Sequence, residues 1–321
     1  MRKHWLVLVQ VAFSAFLLWR IFGDASLRAE ASSLLGLAHP FWLASGLLIA
    51  FTGEFLCAIR WWIMLRIFGV PVSFARTCAF TASGLFFSLG LPGSGGGDAF
   101  RILYVIRIHP NHKLRATLSV IADRLCGLVA LALTLIVPLF RLEEFKLDPV
   151  AWNIFLISSL LVLGVLALVF LWWLTTVPSL HRRWLPYLPH HLREKAAKMG
   201  QIFGGLGKNP RTVSLAILLA IIALAAHFTT YFCSARAFAL PLSLADFFAI
   251  MPLVDTLTML PVTLYGLGLR ETLFEYLLGG VFHIPAGAAT MASLTGFGLQ
   301  AVVALLGGLC VPFTTPAAIK A

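Results

Sequence analysis

The sequence predicts an all-α, polytopic membrane protein with about six full transmembrane helices and two re-entrant helical hairpins in an inverted repeat. Two observations support this prediction. Of the 321 residues, 60% are hydrophobic and only 12% are charged, and the mean hydropathy is +0.93, so the chain has more apolar surface than a soluble domain can bury. In addition, two apolar stretches are interrupted by proline and glycine in the same pattern.

Six stretches are long and apolar enough to cross a bilayer. The first, at 5–22, follows Arg2 and Lys3 and is longer than the usual apolar core of a signal peptide, so we interpret it as a retained span. The other five candidate spans are 40–65, 115–140, 150–175, 212–239 and 286–313.

The basic residues orient these spans. The formal net charge of +11 at pH 7 is concentrated in a few loops, which suits cytoplasmic loops and anionic lipid headgroups better than nucleic acid. The segment 181–211 is the most basic, so we place it and both chain termini in the cytoplasm. Between Leu188 and Leu206, apolar residues recur at helical spacing, which is typical of an amphipathic helix on the inner leaflet. A connector packed on the protein's own spans would have the same pattern.

The first interruption, at 92–101, reads Pro-Gly-Ser-Gly-Gly-Gly-Asp-Ala-Phe-Arg. Proline cannot donate a helical hydrogen bond and serial glycines lose the most entropy in a helix, so a helix breaks here. In hydrocarbon, such a break is tolerated only where it is buried in protein or lines a polar cavity. Asp98 and Arg101 beside the break therefore mark a functional site. A plain extramembrane loop is the alternative.

The same pattern returns in the second half of the chain. The spacing Pro-x4-Gly-x3-Arg occurs twice, as Pro92, Gly97 and Arg101 and as Pro261, Gly266 and Arg270. Val-Pro-Val-Ser at 70–73 precedes the first by 21 residues, and Leu-Pro-Leu-Ser at 240–243 precedes the second by 20. Interrupted segments at corresponding places in two halves indicate a transporter-type binding site.

Basic clusters lie before and after the first interrupted stretch. If both clusters are cytoplasmic, the stretch 74–109 enters and leaves on one side as a re-entrant hairpin. Three full crossings separate the two repeats, so the second hairpin, 244–282, enters from the opposite face. The single integral-membrane domain, 1–321, then consists of a first span with an external loop (1–39), repeat one (40–140), a linking span with the basic cytoplasmic loop (141–211) and repeat two (212–313).

The charged residues beside the two breaks suit an anionic ligand. Helix ends at the glycine tips offer N–H groups and a positive dipole end to a phosphate, and Arg101 and Arg270 add planar donor forks. Asp98 is placed to hold Arg101, three residues later on the same helix face. Alternatively, these charges pair only with each other and hold helices together. Within the second span, Glu54 needs a partner or a water-filled cavity.

No motif for ATP hydrolysis accompanies these residues. The glycines at 93–97 lack the Gly-Lys-Ser/Thr ending of a phosphate-binding loop, so movement of a lipid would be passive or ion-coupled. The candidate proton carriers are Asp98, Asp123, Asp255 and Glu271. The five cysteines are scattered without a C-x-x-C pair, so the sequence indicates neither a metal site nor a disulfide framework, and we expect no cofactor.

Four motifs resemble the lysylphosphatidylglycerol synthase transmembrane, or flippase-like, family. They are Arg60-Trp61, then Leu91-Pro92-Gly93 with Gly97-Asp98 and Arg101, then Asp123-Arg124, and then Tyr265 to Glu271 with Gly-x-Gly-x-Arg-Glu. The resemblance covers 42–313. Many relatives have Gly-Glu where this chain has Gly97-Asp98, which keeps the charge and shortens the side chain.

The resemblance implies a bacterial or archaeal inner-membrane protein that handles anionic phospholipid or polyprenyl-phosphate lipids. The substrate-binding residues would be Arg60, Pro92, Gly93, Gly97, Asp98, Arg101, Asp123, Arg124, Gly266, Gly268, Arg270 and Glu271. Relatives fused to an aminoacyl-transferase domain make and translocate aminoacylated phosphatidylglycerol. We find no stretch long and polar enough for that domain, so we do not expect synthase activity.

We therefore predict a lipid translocator whose partners are the membrane and its anionic lipids, with no nucleic acid. A homo-oligomer is compatible with the sequence. Two alternatives are an integral-membrane enzyme that modifies a lipid and a non-transporting subunit of a lipid-synthesis complex. The sequence leaves the cargo, the direction and the energy source open.

Overall fold

The computed structural model describes residues 38–90, 96–176, 209–260, 262–263 and 266–314, with isolated positions at 19, 23, 33, 36 and 206. The predicted first span and the predicted amphipathic helix lie outside this part of the chain, apart from those isolated positions. The site candidates Pro92 and Gly93 also lie outside it. Throughout the described ranges the regular structure is helical, as predicted.

Ten α-helices are described. The first unit comprises α1 (Pro40–Ile67), α2 (Phe74–Gly90), α3 (Gly96–Ile108) and α4 (Lys113–Thr134). Two linking helices follow, α5 (Leu142–Leu147) and α6 (Pro149–Thr176). The second unit comprises α7 (Pro210–Ala237), α8 (Leu244–Thr258), α9 (Leu269–Phe282) and α10 (Ala286–Gly307). The two units thus have the same order of long and short helices.

Five segments of the described chain are long and apolar enough to cross a membrane. They are Pro40–Ile67, Pro110–Arg141, Pro149–Leu168, Pro210–Ala237 and Ala286–Thr314. These segments coincide with five of the six spans that the hydropathy predicts. The chain is therefore a multi-pass helical membrane protein.

Helices α2 and α3 pack as an antiparallel pair. Two stacked ring pairs join them, Phe80 with Tyr104 at 5.3 Å and Phe87 with Phe100 at 3.8 Å. The residue numbers of each pair rise in one helix as they fall in the other, so the chains run in opposite directions. At the end of the pair away from the break, the Nε2 atom of His109 lies 3.0 Å from the carbonyl oxygen of Pro71. The segment therefore leaves close to where it enters.

Helices α8 and α9 form the corresponding pair in the second unit. Phe247, near the start of α8, packs its ring 6.3 Å from that of Phe274 in α9. Asp246 caps the start of α8 by accepting a hydrogen bond from the backbone N–H of Ser243 at 2.8 Å, and it accepts another from Arg141 at 2.9 Å. Since Arg141 follows α4 and His109 precedes it, the two helix pairs open at opposite ends of α4.

The first helices of the two units pack against each other in opposite directions. Small residues of α1 face α7, with Gly46 beside Cys233 and Gly53 beside Ala226. Near the start of α1, the backbone N–H of His39 donates to the carbonyl of Ala237 at the end of α7, at 2.9 Å. Glycine and alanine allow this close approach of helices within apolar surroundings.

The echoed Pro-x-Ser segments follow the same turn in both units. Two positions after the ends of α1 and α7, Gly69 and Ala239 both have left-handed backbone, with φ of 67° and 56°. The N–H that follows each turn reaches back to the helix, from Val70 to Leu65 at 2.9 Å and from Leu240 to Ala235 at 3.1 Å. The sequence echo thus corresponds to a repeated local structure.

Candidate functional site

A cavity of about 350 Å³ lies among these helices and is lined by both units. Its charged and polar lining from the first unit includes Glu54, Arg60, Asp98, Arg101, Asp123 and Arg124. The second unit contributes His227, Asp255, Thr258, Gly266, Arg270 and Gln300. Both interrupted segments therefore border the same space. Glu54 and Gln300 lie near the middle residues of their candidate spans, where uncompensated charge is costly.

An alternating chain of three arginines and two aspartates forms one wall. Asp123 accepts hydrogen bonds from Arg60 Nε at 2.7 Å and from Arg101 Nη2 at 3.2 Å. Asp98 accepts from Arg101 Nη1 at 3.2 Å and from Arg124 Nε and Nη2 at 2.6 and 2.9 Å. We call these five residues the arginine cluster. Its formal charge is +1, because three guanidinium groups face two carboxylates.

The cluster is buried at one end and open at the other. The side chain of Asp123 is 1% exposed, whereas that of Arg124 is 49% exposed. The guanidinium of Arg101 lies 4.1 Å over the ring of Trp61, and among the described residues its buried Nε has no hydrogen-bond partner. Arg124 is therefore the most accessible guanidinium of the cluster.

Gly97 allows the start of α3, with Asp98 and Arg101, to pack closely on α2. A Cβ atom at this position would collide with the backbone oxygen of Gly84 and with the hydroxyl of Ser88. The absence of a side chain thus lets α3 lie directly on α2. Asp98 occupies the first turn of α3, where the helix dipole stabilises a negative charge.

The second unit places Arg270 on the cavity in a similar setting. Its guanidinium lies 5.8 Å from the ring of Tyr231 and 5.6 Å from that of Phe297. Gly266 has φ of 80°, and a Cβ atom there would lie 3.0 Å from Nη2 of Arg270. This glycine therefore supplies both the left-handed turn and the room for the guanidinium.

Glu271 and Gly268, the other predicted site residues of this unit, are not among the residues that line the cavity. The Glu271 carboxylate is fully buried. It accepts from the N–H of Gly268 at 2.6 Å and from the hydroxyl of Ser293 at 2.9 Å. Both residues hold the start of α9, so their described contacts orient Arg270 rather than face the cavity.

The structure adds a polar group that the sequence analysis did not single out as a unit. His227 of α7 places its Nε2 atom 3.3 Å from the carboxylate of Asp255 in α8. Its Nδ1 atom lies 2.8 Å from the side-chain nitrogen of Gln300 in α10. Asp255 was among the predicted proton carriers. His227 and Gln300 could also have been singled out from the sequence, since polar side chains inside apolar spans are functional candidates.

The comparisons with known proteins bear on the whole chain. Residues 7–308 match the family described as the lysylphosphatidylglycerol synthase TM region. The chain belongs to this family. No curated protein sequence matches the chain. The resemblance predicted from the arginine and glycine motifs is thus confirmed across nearly the full length.

In this member of the lysylphosphatidylglycerol synthase TM family, eight of the twelve predicted site residues line one cavity: Arg60, Gly97, Asp98, Arg101, Asp123, Arg124, Gly266 and Arg270. Within the described part of the chain, no three His, Cys, Asp or Glu residues are grouped so as to hold a metal ion. The charged lining of the cavity consists of four arginines and four carboxylates, with one imidazole beside them.

Proposed function

We propose that this protein moves an anionic phospholipid or polyprenyl-phosphate-type lipid between membrane leaflets and leaves it chemically unchanged. One observation carries the proposal. Both interrupted segments border a single cavity among apolar spans, and each contributes an arginine to it, Arg101 and Arg270. Arginine presents a planar fork of donors that suits a phosphate. A headgroup can be held there while its acyl chains stay in hydrocarbon.

The arrangement of the helices supports an inverted repeat with two re-entrant hairpins. The first helices of the two units run antiparallel, and the pairs α2–α3 and α8–α9 open at opposite ends of α4. Helices α2, α3, α8 and α9 have 17, 13, 15 and 14 residues, all shorter than the roughly 20 residues of a full crossing. Inverted repeats with broken helices allow alternating access around a central site.

The orientation in the membrane follows from the basic residues. The α2–α3 pair opens beside a group of them, and a Cβ atom at Gly69 would lie 3.2 Å from the guanidinium of Arg115. We place this end in the cytoplasm and the Arg141–Asp246 end outside, with both chain termini cytoplasmic in a bacterial or archaeal inner membrane. The headgroup would then pass from one hairpin's side to the other's through the cavity.

The headgroup would bind at the arginine cluster. A monoanionic phosphate would balance the +1 excess of this cluster, and Arg124 is exposed enough to meet it. Bringing an anion among apolar spans without a paired cation is costly, and the cluster supplies such cations. The ion pairs within the cluster keep the arginines in place between lipid cargoes.

Reconstitution into proteoliposomes tests the proposal. Labelled phosphatidylglycerol and labelled polyprenyl phosphate, each in separate vesicles, should move between leaflets and be recovered unchanged by mass spectrometry. A consumed lipid would favour the alternative of a lipid-modifying enzyme. If neither lipid moves, the translocator proposal fails.

Substitutions identify the arginines that matter. We expect Arg101→Ala and Arg270→Ala to abolish movement while the protein still elutes as a folded species. Arg66→Ala is a matched control, because Arg66 also lies over a tryptophan, 4.8 Å from the Trp62 ring, but does not line the cavity. Unchanged movement in both cavity variants would refute the phosphate contacts.

A further inference from the structure

We propose that the cavity also binds a proton, at a site formed by Glu54, His227 and Asp255, and that an anionic lipid and a proton cross the membrane together. This inference rests on the proposed lipid translocation. It adds the coupling ion and the direction of accumulation.

His227 is held on both sides of its ring by groups from other helices. Gln300 lies 2.8 Å from Nδ1, and Asp255 lies 3.3 Å from Nε2. When the amide donates to Nδ1, the neutral ring donates its Nε2 proton to Asp255. If the amide turns to present its oxygen, Nδ1 can carry a second proton. The same three side chains thus accommodate the neutral and the protonated imidazole.

Glu54 borders the same cavity as this histidine and the arginine cluster. It lies in the middle of α1 and lines the cavity, and the described residues provide no hydrogen bond or ion pair to its carboxylate. His227, Arg60, Arg101 and Arg124 line the same cavity. An intramembrane carboxylate that faces a cavity without a fixed partner is a candidate proton carrier.

The charge balance of the cavity favours loading the anion and the proton together. Its lining has four arginines, Arg60, Arg101, Arg124 and Arg270. It also has four carboxylates, Glu54, Asp98, Asp123 and Asp255. With His227 neutral, the empty cavity therefore has no net charge. An anion alone would make it −1, whereas one anion with one proton restores neutrality.

Loading the anion and the proton together matters because net charge among apolar spans is costly. An anion on the arginines also offsets their field at Glu54, which favours the protonated, neutral carboxyl group. By linkage, the bound proton favours the anion to the same extent. Tyr231, whose ring lies 5.2 Å from that of His227, and Cys57, which lines the cavity, are the other titratable neighbours of this site. Neither carries charge at neutral pH.

The first test is the steady-state distribution of a trace of acyl-labelled phosphatidylglycerol in proteoliposomes with a pH difference. If one proton crosses with each lipid, the label should accumulate in the leaflet facing the less acidic side, by about tenfold per pH unit. Labelled phosphatidylcholine and protein-free vesicles should show no such shift. Movement of the anionic lipid with a ratio that ignores the pH difference, or that favours the acidic side, overturns the inference.

The second test needs no transport. When phosphatidylglycerol is added to the detergent-solubilised protein in weak buffer, the protein should take up about one proton from the solution for each lipid bound. Glu54→Gln should abolish this uptake and His227→Gln should reduce it. His39→Gln, at an exposed position without a capping bond, and Glu275→Gln, outside the cavity, should leave it unchanged.

The outcomes separate the two proposals. If the wild-type protein moves no anionic lipid, the translocator proposal fails. If it moves lipid but takes up no proton on binding, or if uptake is unchanged in both Glu54→Gln and His227→Gln, the coupling proposal alone is refuted.

Discussion

The guanidinium of Arg101 lies 4.1 Å over the indole ring of Trp61. The second unit repeats this contact less closely, with Arg270 lying 5.8 Å from the ring of Tyr231. In each unit the arginine follows the helix break and the aromatic residue belongs to the long first helix. An aromatic face gives a buried guanidinium a favourable contact without using its N–H donors, and Arg101 donates from Nη1 and Nη2 to Asp98 and Asp123 at the same time.

The centre of the arginine cluster should be the most sensitive point of the fold. Asp123→Asn removes the negative charge that pairs with both Arg60 and Arg101. Two buried guanidinium groups then lose this ion-pair partner. We expect a loss of about 3–5 kcal/mol in the free energy of unfolding, measured by denaturant titration in detergent. Glu143→Gln, at an exposed surface ion pair with Lys146, is the control and should change little. Equal effects of the two substitutions would contradict a structural role for the cluster.

Gly97 and Gly298 should respond to alanine in opposite directions. Gly97→Ala introduces a Cβ atom against the backbone of Gly84, so we expect a loss of about 1–3 kcal/mol from overpacking. Gly298 lies in α10 with nothing near its would-be Cβ, so Gly298→Ala should stabilise by up to about 1 kcal/mol, because alanine favours helix. Thermal unfolding of both variants in one detergent provides the comparison. A stabilising Gly97→Ala would show that α2 and α3 are not packed this closely.

The two equivalent turns offer a paired test of backbone strain. Ala239 has a left-handed backbone that glycine adopts without strain. We expect Ala239→Gly to stabilise the protein by up to about 1 kcal/mol, and Gly69→Ala in the equivalent turn to destabilise it by about 1–2 kcal/mol. Unfolding midpoints of the two single variants are the measurement, with the wild type as reference. The same sign for both changes would argue against equivalent turns.

Cysteine labelling tests the opposite openings of the two hairpins. In a background without the five native cysteines, Ser73→Cys and Lys113→Cys should react with an impermeant reagent from one side of the membrane. Lys146→Cys and His283→Cys should react only from the other side. All four positions are exposed, so poor access does not explain a negative result. Labelling of Ser73→Cys and Lys113→Cys from opposite sides would mean that the first interrupted stretch spans the bilayer.

Several features follow from the sequence because they depend on local chemistry. Runs of apolar residues predict five of the described spans, and proline with glycine predicts where the helices break. The contact between Asp98 and Arg101 also follows, since residues three apart share a helix face. In the structure, Nη1 of Arg101 lies 3.2 Å from Oδ1 of Asp98. The family is recognisable from the same short motifs.

Only the tertiary structure decides which charges meet. Arg60 pairs with Asp123 across 63 positions of the chain, and His227 meets Gln300 across 73. Spacing along one helix says nothing about such pairs, because they depend on how separate helices pack. The same packing turns Glu271 towards Ser293 while Arg270 reaches the cavity. Composition thus determines that the protein lies in a membrane and where its helices break, whereas helix packing determines the charge of the cavity that those breaks enclose.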